Sequence, residues 1–124
     1  MDNKLINKVS RYSLAFVFIY HGLVPKIIWL SPIEAALTNA HQLNANIVSP
    51  MAGVMEVLLG LSIVFLKRTL LPIYAAIILL VVLLLDVAIV MPSLLIEAFN
   101  PVTINVVSIA LAYFICITHE KVMS

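Results

Sequence analysis

Four apolar stretches dominate this chain and leave it few ways to fold. A helix that crosses a bilayer needs about 20 mostly apolar residues. Leu70 to Met91 is the clearest such stretch, with Asp86 as its only charge. Tyr12 to about Leu30 is interrupted by His21, Pro25 and Lys26; Met51 to Leu66 is broken only by Glu56; Val102 to Thr118 carries no charge. Of the 124 residues, 64% are hydrophobic and 10% charged, whereas average globular chains are about a quarter charged. So little charge cannot cover a water-facing surface, so the outer surface is expected to meet the lipid bilayer. The sequence therefore predicts an all-α fold: one integral membrane four-helix bundle over residues 1–124, with spans at about 12–30, 51–66, 70–91 and 102–118. A net charge of +1 without a basic cluster argues against a nucleic-acid partner. The first span lacks a small-residue cleavage site and is expected to stay in the mature protein.

Lysine and arginine set the orientation. Lys4, Lys8 and Arg11 precede the first span, Lys67 and Arg68 separate the second from the third, and Lys121 follows the fourth. With four spans these places share one side, so both termini are predicted to be cytoplasmic in the cell membrane. Helix starts are marked by a capping residue before a proline at the first helical position, Ser49-Pro50 and Asn100-Pro101. Ser31-Pro32-Ile33-Glu34 adds a capping box, with Glu34 able to reach back to the Ser31 amide. It opens a short helix over Pro32 to Leu43, too short to span and expected at the outer interface. His41 and Glu97 read as solvated loop residues.

Charges within a span cost about 2.5–3.5 kcal/mol each at mid-depth and normally face protein. Counted from the caps at 1.5 Å per residue, Lys26, Glu56, Asp86 and Asn105 fall in one layer toward the outer side. At 100° per residue, Ala15, Gly22 and Lys26 share a face, as do Gly53, Glu56 and Gly60; Ala75 aligns with Asp86; and Asn105, Ser108 and Ala112 align, with Cys116 close by. Small residues let membrane helices approach and polar ones bond across the contact. The stripes are expected to face inward, with Gly22, Gly53 and Gly60 as packing positions and the polar residues converging. The alternative for Gly53 and Gly60 is a contact between copies in a homo-oligomer.

Two readings of the cluster compete. Lys26 can pair with Glu56 or Asp86 simply to fix helix register, or the group is a ligand or proton site. One positive and two negative groups resist burial with a net charge, so the carboxyls are expected to titrate as a coupled pair. His21 lies near mid-depth on another face. It reads first as a hydrogen-bonded packing residue and second as a ligand-binding one. Neither haem nor a metal is expected, because His41 and His119 do not match His21 in depth and no ligand spacing is present. Cys116, the single cysteine, reads as a packing residue.

Arg11, the run Tyr20-His21-Gly22-Leu23-Val24-Pro25-Lys26, Ser31-Pro32-Ile33-Glu34, the segment Glu56-Val57-Leu58-Leu59-Gly60 and Asn100-Pro101-Val102-Thr103 together resemble the DoxX-like membrane proteins over nearly the whole chain. The matching positions are Gly22, Lys26, Glu56 and Gly60. The resemblance implies a four-helix membrane bundle and an association with quinol- and quinone-linked membrane oxidoreductases. Three functions follow as expectations. The first is an accessory protein that binds a quinone or other lipophilic ligand, with no covalently bound cofactor, at Lys26, Glu56, Asp86, Asn105 and His21, beside a membrane oxidoreductase partner. The second is a scaffold or assembly factor whose charges only fix packing. The third is a small enzyme using the carboxyls as acid and base; no catalytic residue is assigned.

Overall fold

Residues 2–123 are described in the computed structural model. Among them every element is helical: α1 (Asn3–Gly22), a π-helical turn (Leu23–Ile28), α2 (Pro32–Ala40), α3 (Ala45–Phe65), α4 (Leu71–Val90), a 3-10 turn (Pro92–Ile96) and α5 (Pro101–Met123). By length and hydropathy α3, α4 and α5 can each cross a membrane, whereas Asn3–Ile28 meets the same test jointly with Pro32–Ala40, from which it is bent by 87°. Three of the four expected spans thus stand as single helices, and the first, expected over about 12–30, passes only when it is counted as one span with the short helix that follows it. The first half of α1 is the reason, since Lys4, Asn7, Lys8 and Arg11 make it polar below Tyr12.

The helix starts differ from expectation where a stronger cap lies nearby. α1 begins at Asn3, because the Asp2 carboxylate accepts the Lys4 N–H at 2.9 Å. α3 begins at Ala45 rather than at Met51; Asn44 is its cap, accepting the Asn46 N–H at 3.1 Å, and Pro50 falls inside the helix. Ser49 is therefore not a cap but a buried residue of α3. Ser31 caps α2, accepting the Glu34 N–H at 3.2 Å. The return bond of the capping box is absent, because the Ser31 N–H donates to the Pro25 carbonyl at 2.9 Å. Asn100 caps α5 as its sequence announces, accepting the Thr103 N–H at 3.0 Å.

Packing is uneven along the bundle. α1 lies against both α3 and α5, and α4 lies against α5, while α3 and α4 meet far less. The hydrophobic core, built around Leu14, Phe18, Ile63, Ile73, Ala112 and Ile115, occupies the end where α1 begins, α3 ends, α4 begins and α5 ends. The opposite end, spanned by α2, is open. Large apolar side chains such as Phe16, Phe65 and Ile89 point outward, as lipid contact requires. The expected inward stripe on α4 is corrected. Its buried face is Ile73, Ala76, Leu80 and Val87, so Ala75 is exposed and Asp86 is only half-buried at the edge of that face. α4 is apolar all round, so its polar residues do not define its inner face.

The closed end is tied by Arg11, which helical spacing does not place in the polar cluster and which the charge rule uses only for topology. Arg11 is 2% exposed. Its Nε donates to Asn7 Oδ1 at 2.9 Å, one terminal nitrogen to the Ile63 carbonyl at 2.9 Å and the other to the Lys67 carbonyl at 3.3 Å. These carbonyls lie at the C-terminal end of α3, where helix groups lack backbone donors and the dipole favours a cation. Asn7 in turn donates to Thr118 Oγ1 at 2.8 Å, which joins α5 to the same knot. Arg11→Lys keeps the charge but not the fork. It is expected to lower stability by about 1.5–3 kcal/mol, the usual range for charged hydrogen bonds, measured as thermal unfolding in detergent. Unchanged unfolding would mean the fork is not a tie.

Candidate functional site

At the open end the geometry starts from two glycines. A Cβ placed on Gly22 would lie 2.5 Å from the Gly53 carbonyl oxygen and 2.9 Å from Glu56 Cβ; one on Gly53 would collide in turn with the Gly22 carbonyl oxygen and come within 2.9 Å of Lys26 Cβ. α1 and α3 therefore cross backbone to backbone, which sets Lys26 beside Glu56. Gly60 extends the same contact toward Ile19 and Ala15. Gly53 and Gly60 thus face α1, and Gly22 faces α3, within the chain.

Pro25 shapes the next step. It has no N–H to offer the His21 carbonyl, four residues back, and α1 loosens there into the π-helical turn, which ends at Trp29 in extended conformation. The Lys26 ammonium donates to that carbonyl at 3.2 Å. It also lies 3.1 Å from Glu34 Oε1 and 3.2 Å from Glu56 Oε1. Lys26 and Glu56 are largely buried, with side-chain exposures of 11% and 9%. An ammonium has three N–H donors, and three acceptors surround this one.

α2 spans the gap between α3 and α4. Glu34 reaches Lys26, the Thr38 hydroxyl bonds the Ser49 hydroxyl of α3 at 2.9 Å, and His41 Nε2 lies 3.0 Å from both carboxylate oxygens of Asp86 on α4. Beneath α2 lies a cavity of about 790 Å³. Its walls are mostly apolar, with Phe18, Leu37, Leu80 and Ile104 among them, and its polar lining includes His21, Lys26, Glu56, Asp86 and Asn105. All five residues singled out by sequence therefore line one space.

Their pairing differs from expectation. Asp86 bonds His41 rather than joining Lys26, so the two carboxylates that share Lys26 are Glu34 and Glu56. The expected Glu56–Asp86 couple is not formed, because Asp86 sits at the edge of the buried face of α4. Asn105 is committed across the bundle, donating to the Leu80 carbonyl at 2.9 Å. The His21 ring side of α1 is exposed while its carbonyl serves Lys26. Glu97 stays exposed and outside the cavity lining. Glu34 and His41, read as a cap and a solvated residue, are the members that sequence reasoning missed. A signal was present: Glu34, Leu37, Thr38 and His41 recur at the spacing of one helix face, and that face lines the cavity. Among the described residues no group of three His, Cys, Asp or Glu side chains is placed to hold a metal ion.

The sequence model of the DoxX-like family matches residues 15–113, a stretch that contains every residue of the cluster. No curated protein and no solved structure matches the chain.

Lys26→Met leaves Glu34 and Glu56 facing one another without a cation. It is expected to destabilise the fold by about 3 kcal/mol, the lower end for breaking a buried pair. Adding Glu56→Gln should restore most of that loss, because it removes the excess charge. Thermal unfolding of the single and double variants measures the difference, and a double variant no more stable than the single would contradict this electrostatic account.

Proposed function

The chain belongs to the DoxX-like family, and from that premise we propose that it holds a lipophilic molecule with a hydrogen-bonding head, a quinone-like ring, in the cavity beneath α2. The observation that carries this reading is the cavity itself. Its volume of about 790 Å³ falls in the range of about 300–1,000 Å³ usual for small-molecule sites, and apolar walls with a few convergent polar groups are the usual lining. The Lys26 ammonium is a donor suited to a ring oxygen, and the His41–Asp86 pair offers polar contacts on the α4 side. The tail would lie along the apolar walls. In this role the protein is an accessory component, presenting its ligand to an oxidoreductase in the same membrane.

The reading includes a topology. Four crossings, with α1 and its π-helical turn as the first, place α2 at the outer surface as an interfacial helix. Lys4, Lys8, Arg11, Lys67, Arg68 and Lys121 then lie at the other end, which by the charge rule is the cytoplasmic side of the cell membrane. A multi-pass membrane protein is what the apolar helices support directly.

A second reading has its own observation. Lys26 already finds three acceptors, so the cluster can serve as a scaffold tie that needs no ligand. Binding separates the two. A short-tailed benzoquinone is titrated into the protein in lipid nanodiscs, and the Lys26→Met/Glu56→Gln double variant is expected to bind at least about tenfold more weakly, the loss of one charged hydrogen bond. Equal binding by a folded double variant would remove the ligand reading and leave the scaffold.

α2 acts in this scheme as the cover. Thr38→Cys with Ser49→Cys, in a Cys116→Ala background, joins α2 to α3 where the two hydroxyls now touch. Oxidation is expected to slow both uptake and release of the quinone, and reduction to restore them, followed by stopped-flow binding. Exchange rates indifferent to oxidation would show that the ligand does not pass α2.

A further inference from the structure

The opposite end of the bundle holds a second, smaller cavity that the quinone-like site does not use. Its volume is about 190 Å³, well above the about 10–15 Å³ that admits one water. Four cationic side chains line it, Lys4, Lys8 and Arg11 of α1 and Lys67 of the α3–α4 turn. Asp2 and Glu120, the acidic residues near this end, are not in the lining. Among the described residues no carboxylate lies within ion-pair distance of Lys4, Lys8, Arg11 or Lys67.

Arg11 sharpens the point. It is almost fully buried, yet its partners are an amide and two backbone carbonyls, all neutral. Of the five guanidinium N–H groups, these bonds use three, leaving two without a protein acceptor. Buried charges are ordinarily paired, and this one, with three lysines lining the same cavity, has no counter-charge among the described residues. The other lining residues include Tyr12, Val64, Val122 and Met123, which give the positive mouth an apolar side.

We propose that this cavity binds a phosphate group, and that the amphipathic lining suits the headgroup of an anionic phospholipid. Basic pockets between membrane helices recognise such headgroups through the same chemistry. A phosphate diester supplies acceptor oxygens for the two open Arg11 N–H groups and for the lysines, while the glycerol and first acyl carbons lie against Val64 and Met123. The inference stands apart from the quinone-like reading, since it uses none of the same residues.

The test follows thermal unfolding and native mass spectrometry of the full chain in detergent. The probes are phosphatidylglycerol, phosphatidylcholine of the same acyl chains, and inorganic phosphate. Phosphatidylglycerol is expected to raise Tm and to remain bound, and phosphatidylcholine to do neither. Lys67→Gln should weaken phosphatidylglycerol binding by about fivefold, while Arg68→Gln, which removes the same charge from the same turn outside the cavity, should leave it nearly unchanged. Protection by inorganic phosphate as well would support the site and mark its ligand as a soluble phosphate compound; protection by the lipid alone would support the headgroup. Equal effects of the two lipids, equal effects of the two substitutions, or no protection by any probe would overturn the proposal.

Discussion

Lys26 reaches Glu56 because α1 and α3 cross at Gly22 and Gly53 with no side chain between them, and much of the α2 end is built outward from that crossing. The close approach puts an ammonium against a carboxylate where either alone would be costly in lipid. Pro25 then withholds a backbone donor from the His21 carbonyl, and the Lys26 ammonium donates there instead. The same loosened turn ends α1 and sends the chain into α2 at a steep angle, which delivers Glu34 to the other side of the ammonium. One contact, one missing N–H and one bend thus assemble a charge cluster from residues that lie far apart in sequence.

The two ends of the bundle solve opposite problems. Near the termini the helices close on an apolar core, and Arg11 with Asn7 ties α1 to the end of α3 and to α5. α3 and α4 meet little, and beneath α2 the space is left as a cavity rather than filled by larger side chains. Charged residues occupy both ends, but they are partnered differently. Lys26 has two carboxylates, whereas Arg11 has only neutral acceptors.

Much of this was legible in the residues, and the failures have physical causes. Hydropathy marked the apolar helices, and helical spacing placed Lys26, Glu56, Asp86 and Asn105 at one level, where the structure gathers them around one cavity. Asn100-Pro101 announced α5 correctly, because nothing upstream offers a better cap. Ser49-Pro50 misled, because Asn44 extends the helix back past a proline whose lost bond is a local cost. For Glu34 and His41 helical spacing gave their shared face but not their partners, because Lys26 and Asp86 are brought to that face only by the fold-back of α2. In the sequence Arg11 reads as an orientation charge and a family position, not as a buried tie. Its burial depends on carbonyls at the end of α3, again contributed from far along the chain.

The span of α2 has one more consequence. Its ties run to the loosened end of α1, to α3 and to α4, so its position is a sum over three partners. Any molecule that wedges α3 from α4 lengthens the distance α2 must bridge and shifts or releases it. The side of α2 turned away from the bundle, with Ala36, Asn39 and Ala40 exposed, moves with it. A change in the separation of α3 and α4 is thereby carried to a surface that lies outside the bundle.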